Sequence, residues 1–166
     1  SNEVPCRLAW ERLKVFEDFG ELVGGPSGYV REGYGLIAAD GDREALEDNV
    51  ATQRALGIDT NVLPPDEIRE VAPTLSIRDD EVCAYEPRSG YADPYLVTRG
   101  YARWARSLGV RVQMDTAVLD VEVEGGRVTG VATSEGSVST PVVIVAAGPW
   151  SGPFLLWLGI ELPLHP

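Results

Sequence analysis

Asp115-Thr-Ala-Val118-Leu-Asp-Val-Glu-Val123-Glu-Gly-Gly-Arg127-Val-Thr-Gly-Val-Ala-Thr133-Ser-Glu-Gly136-Ser-Val-Ser-Thr-Pro-Val142-Val-Ile-Val-Ala-Ala147-Gly148-Pro-Trp150 is the stretch whose reading decides the fold. Val118 to Val123 and Arg127 to Thr133 are β-rich runs separated by Glu124-Gly125-Gly126, which predicts a hairpin. Glu135-Gly136 supplies a second turn. The next run, Val142 to Ala147, is continuously apolar, the pattern of a strand covered on both faces. A surface meander feeding a buried strand is therefore expected. At the end of that strand Ala146, Ala147 and Gly148 leave almost no side chain, at the position where open α/β sheets bind their ligands. Gly148 permits close backbone approach or a positive φ. Pro149 and Trp150 then turn the chain away. By itself, Ala-Ala-Gly reads sooner as a buried strand ending in a tight turn than as a binding site.

Working upstream, Asp93 is a helix N-cap with Pro94 at the first helical position, and Leu96, Gly100, Tyr101, Ala105 and Leu108 form an apolar stripe that stops at Gly109. Val110, Val112 and Met114 alternate with Arg111 and Gln113, predicting a strand that leads towards Val118 and completes half of a βαβ unit. Nearer the start, Pro5 opens a helix with Cys6, Ala9, Trp10, Leu13 and Phe16 on one face, ended by Gly20. Gly24-Gly25-Pro26-Ser27-Gly28 breaks the chain, and Tyr29 to Ala39 reads as extended. Asp42 caps a helix with Ala45, Leu46, Val50, Gln53 and Leu56 on one face, closed by Gly57. Pro64-Pro65 starts a short helix stopped by Ala72-Pro73, and Val82 to Tyr85 is a short strand. Beyond Trp150, Phe154 to Leu158 reads as a short helix stopped by Gly159, followed by an extended run from Glu161. His165 sits beside prolines at the very end, where nothing would hold a general base rigidly.

These motifs together resemble one family. Gly90-Tyr-Ala-Asp93-Pro94, the helix, Leu108-Gly109-Val110, the run to Val118, the meander and Val142 to Ser151 look like the FAD-dependent amine oxidoreductases related to D-amino acid oxidase, with sarcosine, glycine and dimethylglycine oxidases or dehydrogenases closest. The resemblance implies a mixed α+β and α/β fold: part of a Rossmann-like FAD-binding domain with its β-meander, interleaved with part of an α+β substrate domain. It assigns 1–27 to a helix of the FAD-binding domain and 28–92 to the first part of the substrate domain. Residues 93–160 become the middle of the FAD-binding domain, and 161–166 the return to the substrate domain. It implies that Val118 offers backbone groups to the adenine, and that Ala146, Ala147, Gly148 and Trp150 lie against the flavin nucleotide. Tyr29, Tyr34 and Tyr85 read first as strand residues, although the family often orients a substrate carboxylate with tyrosine and arginine. No residue here is singled out as catalytic.

The family also opens with strand, G-x-G-x-x-G and helix, whose backbone amides hold the pyrophosphate. Gly33-Tyr34-Gly35-Leu36-Ile37-Ala38 spells G-x-G-x-x-A, but Asp40-Gly41-Asp42 interrupts at once, so it reads as a glycine-bordered strand. The chain is accordingly expected to be the middle of a longer enzyme. Alone it should bind no stoichiometric FAD, show no activity, and self-associate through Val142 to Ala147. Ser1-Asn2 reads as a vector remnant.

Composition narrows the partners. With 166 residues and 44% apolar content the chain is globular, and its net charge of -12 argues against nucleic acid and against anionic membrane surfaces. Lys14 is the only lysine; a salt-adapted protein and a GC-rich genome explain that equally. Cys6 and Cys83 have no metal-ligand spacing, and no secretory or membrane-spanning run is present, so a cytoplasmic location is expected. Neither cysteine nor His165 matches the family's positions of covalent flavin attachment. Arg78-Asp79-Asp80-Glu81 reads as a solvated loop, and no metal site is expected. The resemblance implies oxidation of the CH–NH bond of a small amine or amino acid by hydride transfer to FAD. A glycerol-3-phosphate dehydrogenase of similar meander, and a non-catalytic module that kept part of the fold, are the alternatives.

Overall fold

The computed structural model describes residues 3–163, and the chain divides into two units, Ser1–Arg111 and Val112–Pro166. Ser1, Asn2 and His165 lie outside the described residues. The segment boundaries read near Gly28 and Asp93 both fall within the first unit.

The first unit is built around strand β4, Glu81–Glu86, paired antiparallel with β2, Tyr34–Ala39, on one side and with β3, Asn61–Leu63, on the other. Successive side chains of a strand point to opposite faces, and β4 uses both. Val82 and Ala84 pack with Leu46 and Val50 of helix α3, Arg43–Ala55. Cys83 packs with Ile77 and with Ile68 of helix α4, Pro65–Val71. The expected helices at Asp42 and Pro64-Pro65 thus form and sandwich the sheet. The Asp42 carboxylate makes no capping hydrogen bond. Gly33 to Ala38 enters β2 as a strand, as its broken glycine pattern requires.

Helix α1, Glu3–Glu17, is followed by the short α2, Phe19–Leu22. Gly20 therefore lies inside a helix rather than ending one; the break comes at Asp18. Phe19 is 1% exposed, stacked near Phe16 at 6.5 Å and edge-on to Tyr101 at 5.3 Å between ring centroids. Burying such a ring contributes roughly 1.5–3 kcal/mol. Tyr101 belongs to α5, Pro94–Ser107, whose cap matches its sequence signal: Asp93 Oδ1 accepts from Tyr95 N at 2.8 Å and Leu96 N at 2.9 Å. A ribbon of β1, Val30–Arg31, and β5, Gly90–Tyr91, completes this unit.

In the second unit the meander consists of β6, Val118–Glu124, β7, Arg127–Thr133, and β8, Gly136–Ser139. The predicted hairpin is present. The third strand is β8, not the apolar run after it. Val142 to Ala147, expected as a buried strand, is neither buried nor a strand: it has no ladder partner among the described residues, Val142 is 68% exposed and Ile144 86%. The amides of Val143 to Ala147 make no hydrogen bond among the described residues. An apolar run becomes a strand only where another edge supplies its ladder, and here no edge pairs with it. Val110 to Met114 is irregular for the same reason. Helix α6, Ser151–Leu156, starts slightly earlier than the Phe154 stripe suggests.

Candidate functional site

Two cavities matter, one in each unit. In the second unit a cavity of about 360 Å³ is lined by Val118, Val121 and Val131 of the meander, by Val143 to Ala147, and by Phe154. Its lining side chains are wholly apolar. It brings Val118 together with Ala146 and Ala147, three residues singled out from sequence. Val118 opposes Thr133 at the start of the meander, and the β6–β7 register shifts between Val118 and Asp120. Such an irregularity re-aims backbone groups at a strand end.

Gly148 and Trp150 do not line this cavity. They form the 3-10 turn Gly148–Trp150 immediately after it, where Trp150 N donates to the Ala147 carbonyl at 3.2 Å. Gly148 has φ 57°, and a Cβ placed on it would meet nothing within 4 Å. It is glycine for its backbone conformation rather than for a tight neighbour in this chain. Trp150 is 64% exposed. Val121, 6% exposed, and Phe154 complete the lining without having been singled out. Counting by two from Val118 leads to Asp120 and Glu122, so strict alternation passes over Val121; the register shift at the start of β6 is what lets it share a cavity with Val118.

The first unit holds a larger cavity, about 550 Å³, between α1, α5 and the β1–β5 ribbon. Arg12, Leu13 and Phe16 face Tyr29, Tyr91 and Val97 across it. Tyr29 donates its hydroxyl to the Arg88 carbonyl. Burial, and then the carboxylates of Glu17 and Glu86, raise the Tyr29 phenol above its ordinary 10.0, so it remains a donor at neutral pH. Tyr34 is 61% exposed, and Tyr85 packs with the α4-side core; of the three tyrosines only Tyr29 lines this cavity. Among the described residues no cluster of His, Cys, Asp or Glu is arranged for a metal.

The fold is mixed α/β with antiparallel sheets, and its architecture recurs in solved oxidoreductases. L-proline dehydrogenase from P. horikoshii superposes over 96% of this chain and 42% of its own, with TM-score 0.84 at 24% identity. Glycine oxidase from Bacillus cereus ATCC 14579 does so over 93% of this chain and 42% of its own, with TM-score 0.68 at 29% identity. The chain belongs to the FAD dependent oxidoreductase family (DAO), whose sequence pattern matches residues 3–166. Relatives include D-amino acid dehydrogenase of Rhizobium rhizogenes, 32% identical over 133 residues, 79% of this chain and 32% of that protein. Mitochondrial sarcosine dehydrogenase of Mus musculus is 29% identical over 163 residues, 95% of this chain and 18% of that protein. The mitochondrial pyruvate dehydrogenase phosphatase regulatory subunit of Mus musculus is 28% identical over 164 residues, 98% of this chain and 18% of that protein. The chain thus spans a third or less of these relatives.

FAD is the cofactor of this family, and the second-unit cavity suits one end of it. Apolar walls, small residues at Ala146 and Ala147 and free backbone amides accept a flat heteroaromatic ring by van der Waals contact and main-chain hydrogen bonds. The pyrophosphate finds no match among the described residues, since Gly33 and Gly35 border and enter a strand rather than open a helix. No helix of the described residues is long and apolar enough to cross a membrane.

Proposed function

We propose that the complete protein is an FAD-dependent oxidoreductase acting on the CH–NH bond of a small amine or amino acid of the sarcosine, glycine, dimethylglycine or D-amino acid type. The observation that carries this reading is the convergence of Val118, Ala146 and Ala147 on one apolar cavity. In this reading the Val118 backbone and the alanines hold the adenosine end, while Gly148 turns the chain at positive φ beside the nucleotide. Trp150 covers it. FAD, when bound, supplies the two-electron acceptor. The chain's own part is to bind and orient that group and to exclude water from it. Residues 1–27 and 93–160 then belong to the FAD-binding domain and 28–92 to the substrate domain. The free thiols Cys6 and Cys83 support a reducing, cytoplasmic setting, and the exposed Val142 and Ile144 support self-association of the chain.

The test is the full-length protein, purified and assayed with sarcosine, dimethylglycine, glycine, D-alanine and glycerol-3-phosphate while its visible flavin spectrum is followed. Bleaching by an amine and not by the phosphate ester is expected. A flavin-free full-length protein would sink the reading. A regulatory, non-catalytic role is the second reading, favoured by the phosphatase regulatory subunit among the relatives; flavin that no substrate reduces would support it.

A further inference from the structure

The α3 face of the three-stranded sheet changes chemistry along its length. Val82 and Ala84 of β4 meet Leu46 and Val50 there, and the next β4 residue on that face is Glu86. Tyr34 opposes Glu86 directly on β2. On the other side Asn61 opposes Tyr85, so one further step places Thr60 beside Glu86. Directly opposed residues of antiparallel strands project to the same face. The apolar core therefore ends in a row of Tyr34, Glu86 and Thr60, and α3 lays Asn49 and Gln53 over it. These five side chains border a small cavity of about 70 Å³.

Thr60 and Glu86 are the two buried members of the five. Thr60 is 2% exposed and its hydroxyl makes no hydrogen bond. Glu86 is 7% exposed. Its carboxylate accepts from Arg88 N at 2.8 Å and from the Ser89 hydroxyl, and it makes no ion pair among the described residues. The nearest guanidinium in sequence, that of Arg88, is engaged by Glu17 and lies 4.5 Å from the Trp10 ring. The Arg88 guanidinium still acts on Glu86 through space, so the group left without a partner is the Thr60 hydroxyl, and an orphaned buried hydroxyl is costly. Tyr34, Gln53 and Glu86 also border an adjoining cavity of about 230 Å³, whose remaining wall is largely apolar, from Ala9, Trp10 and Leu13 of α1 and Ile58.

We propose that this two-part cleft binds a small protonated amine, with its ammonium group on Glu86 and Thr60 and a short apolar tail against Leu13 and Ile58. An ammonium presents three donors, and the cleft offers a carboxylate and a hydroxyl on the sheet with the side-chain amides of Asn49 and Gln53 above them. Calcium or magnesium would ask for six or more oxygens and would leave the apolar wall unused. An anion is excluded by Glu86 itself. The amine site rests on residues of the first unit and is independent of the flavin reading, because binding is measured without turnover.

The experiment is isothermal titration of the complete protein with n-propylammonium chloride, against sodium, potassium and tetramethylammonium chlorides at matched ionic strength. One saturable equivalent is expected for propylammonium and none for the three controls. Thr60→Val keeps the side-chain shape and should weaken binding about fivefold, the worth of one hydrogen bond; Gln53→Leu should weaken it as well. Glu86→Gln should abolish binding, but it also touches the turn at Ser89, so Thr60→Val and Gln53→Leu are the deciding variants. Absence of saturable binding, sodium or potassium binding as well as the amine, or unchanged affinity in both of those variants would overturn the proposal.

Discussion

Gly100 of α5 lies directly against the ring of Phe19: a Cβ built on it would sit 2.7 Å from Phe19 Cε1 and 2.8 Å from Cζ. The missing methyl is what lets the two helices close over a ring that is 1% exposed.

Gly100→Ala sets two effects against each other. Alanine gains about 1 kcal/mol of helix propensity, whereas overpacking costs about 1–3 kcal/mol. Phe19 is wedged by Phe16 and Tyr101 and cannot swing away, so the overlap wins. A lower urea midpoint is expected for this variant; an unchanged or higher one would show that the ring yields.

Asp93→Ala removes a carboxylate oxygen that accepts from two backbone amides at the start of α5. The loss should be about 1 kcal/mol, read as a reduced midpoint with the unfolding slope unchanged. Asp93→Asn should restore most of it.

Glu17 and Arg88 form a two-pronged ion pair, with Arg88 Nε 3.1 Å from Glu17 Oε1 and a second, shorter contact through the terminal nitrogen. The hydrogen bond from Arg88 holds the Glu17 carboxyl below its ordinary 4.5. A lowered folded value means that the contribution is complete above the unfolded value and disappears as pH falls through the folded one. Both side chains are partly exposed, which limits the pair to about 1 kcal/mol. Glu17→Gln should therefore be less stable than the parent at pH 7, and the two melting curves should converge as pH drops below 4.5. A gap that persists in strong acid would assign the effect to packing against Trp10.

Gly148→Val forces a branched residue into φ 57°, at a strain of about 1–2 kcal/mol. The site is an exposed turn with nothing within 4 Å of an added Cβ, so the apoprotein should lose stability by that strain alone, while flavin content of the complete protein falls further. Val118→Pro should likewise lower FAD affinity by removing an N–H, whereas Val118→Ile should not. FAD titration of each apoprotein decides; equal losses in both Val118 variants would point to side-chain packing.

Legibility followed the range of the forces involved. Asp93-Pro94, Gly57 and the Glu124-Gly125-Gly126 turn act within a few residues, so α5, α3 and the β6–β7 hairpin were readable from the chain. β3 and β5 were not, because runs as short as Asn61–Leu63 and Gly90–Tyr91 become strands only through β4 and β1. Val142 to Ala147 failed in the opposite sense. Its composition states what it would do beside other strands, and no neighbour among the described residues supplies the ladder. At the candidate site, Ala146 and Ala147 were legible because small residues before a Gly-Pro turn are a local signal. Phe154 was not, since an apolar residue in a short helix looks the same whether it faces a ligand or a core.

The sandwich of β4 between α3 and α4 also sorts the two thiols. Cys83 is 0% exposed, and burial raises its thiol above the ordinary 9.0, while Cys6 is partly exposed on α1. Iodoacetamide should then alkylate Cys6 promptly and reach Cys83 only when the sheet opens. The chain carries its own stopwatch: the slow modification of Cys83, followed by mass, times the separation of the helices from the strand and distinguishes a breathing first unit from one that stays shut.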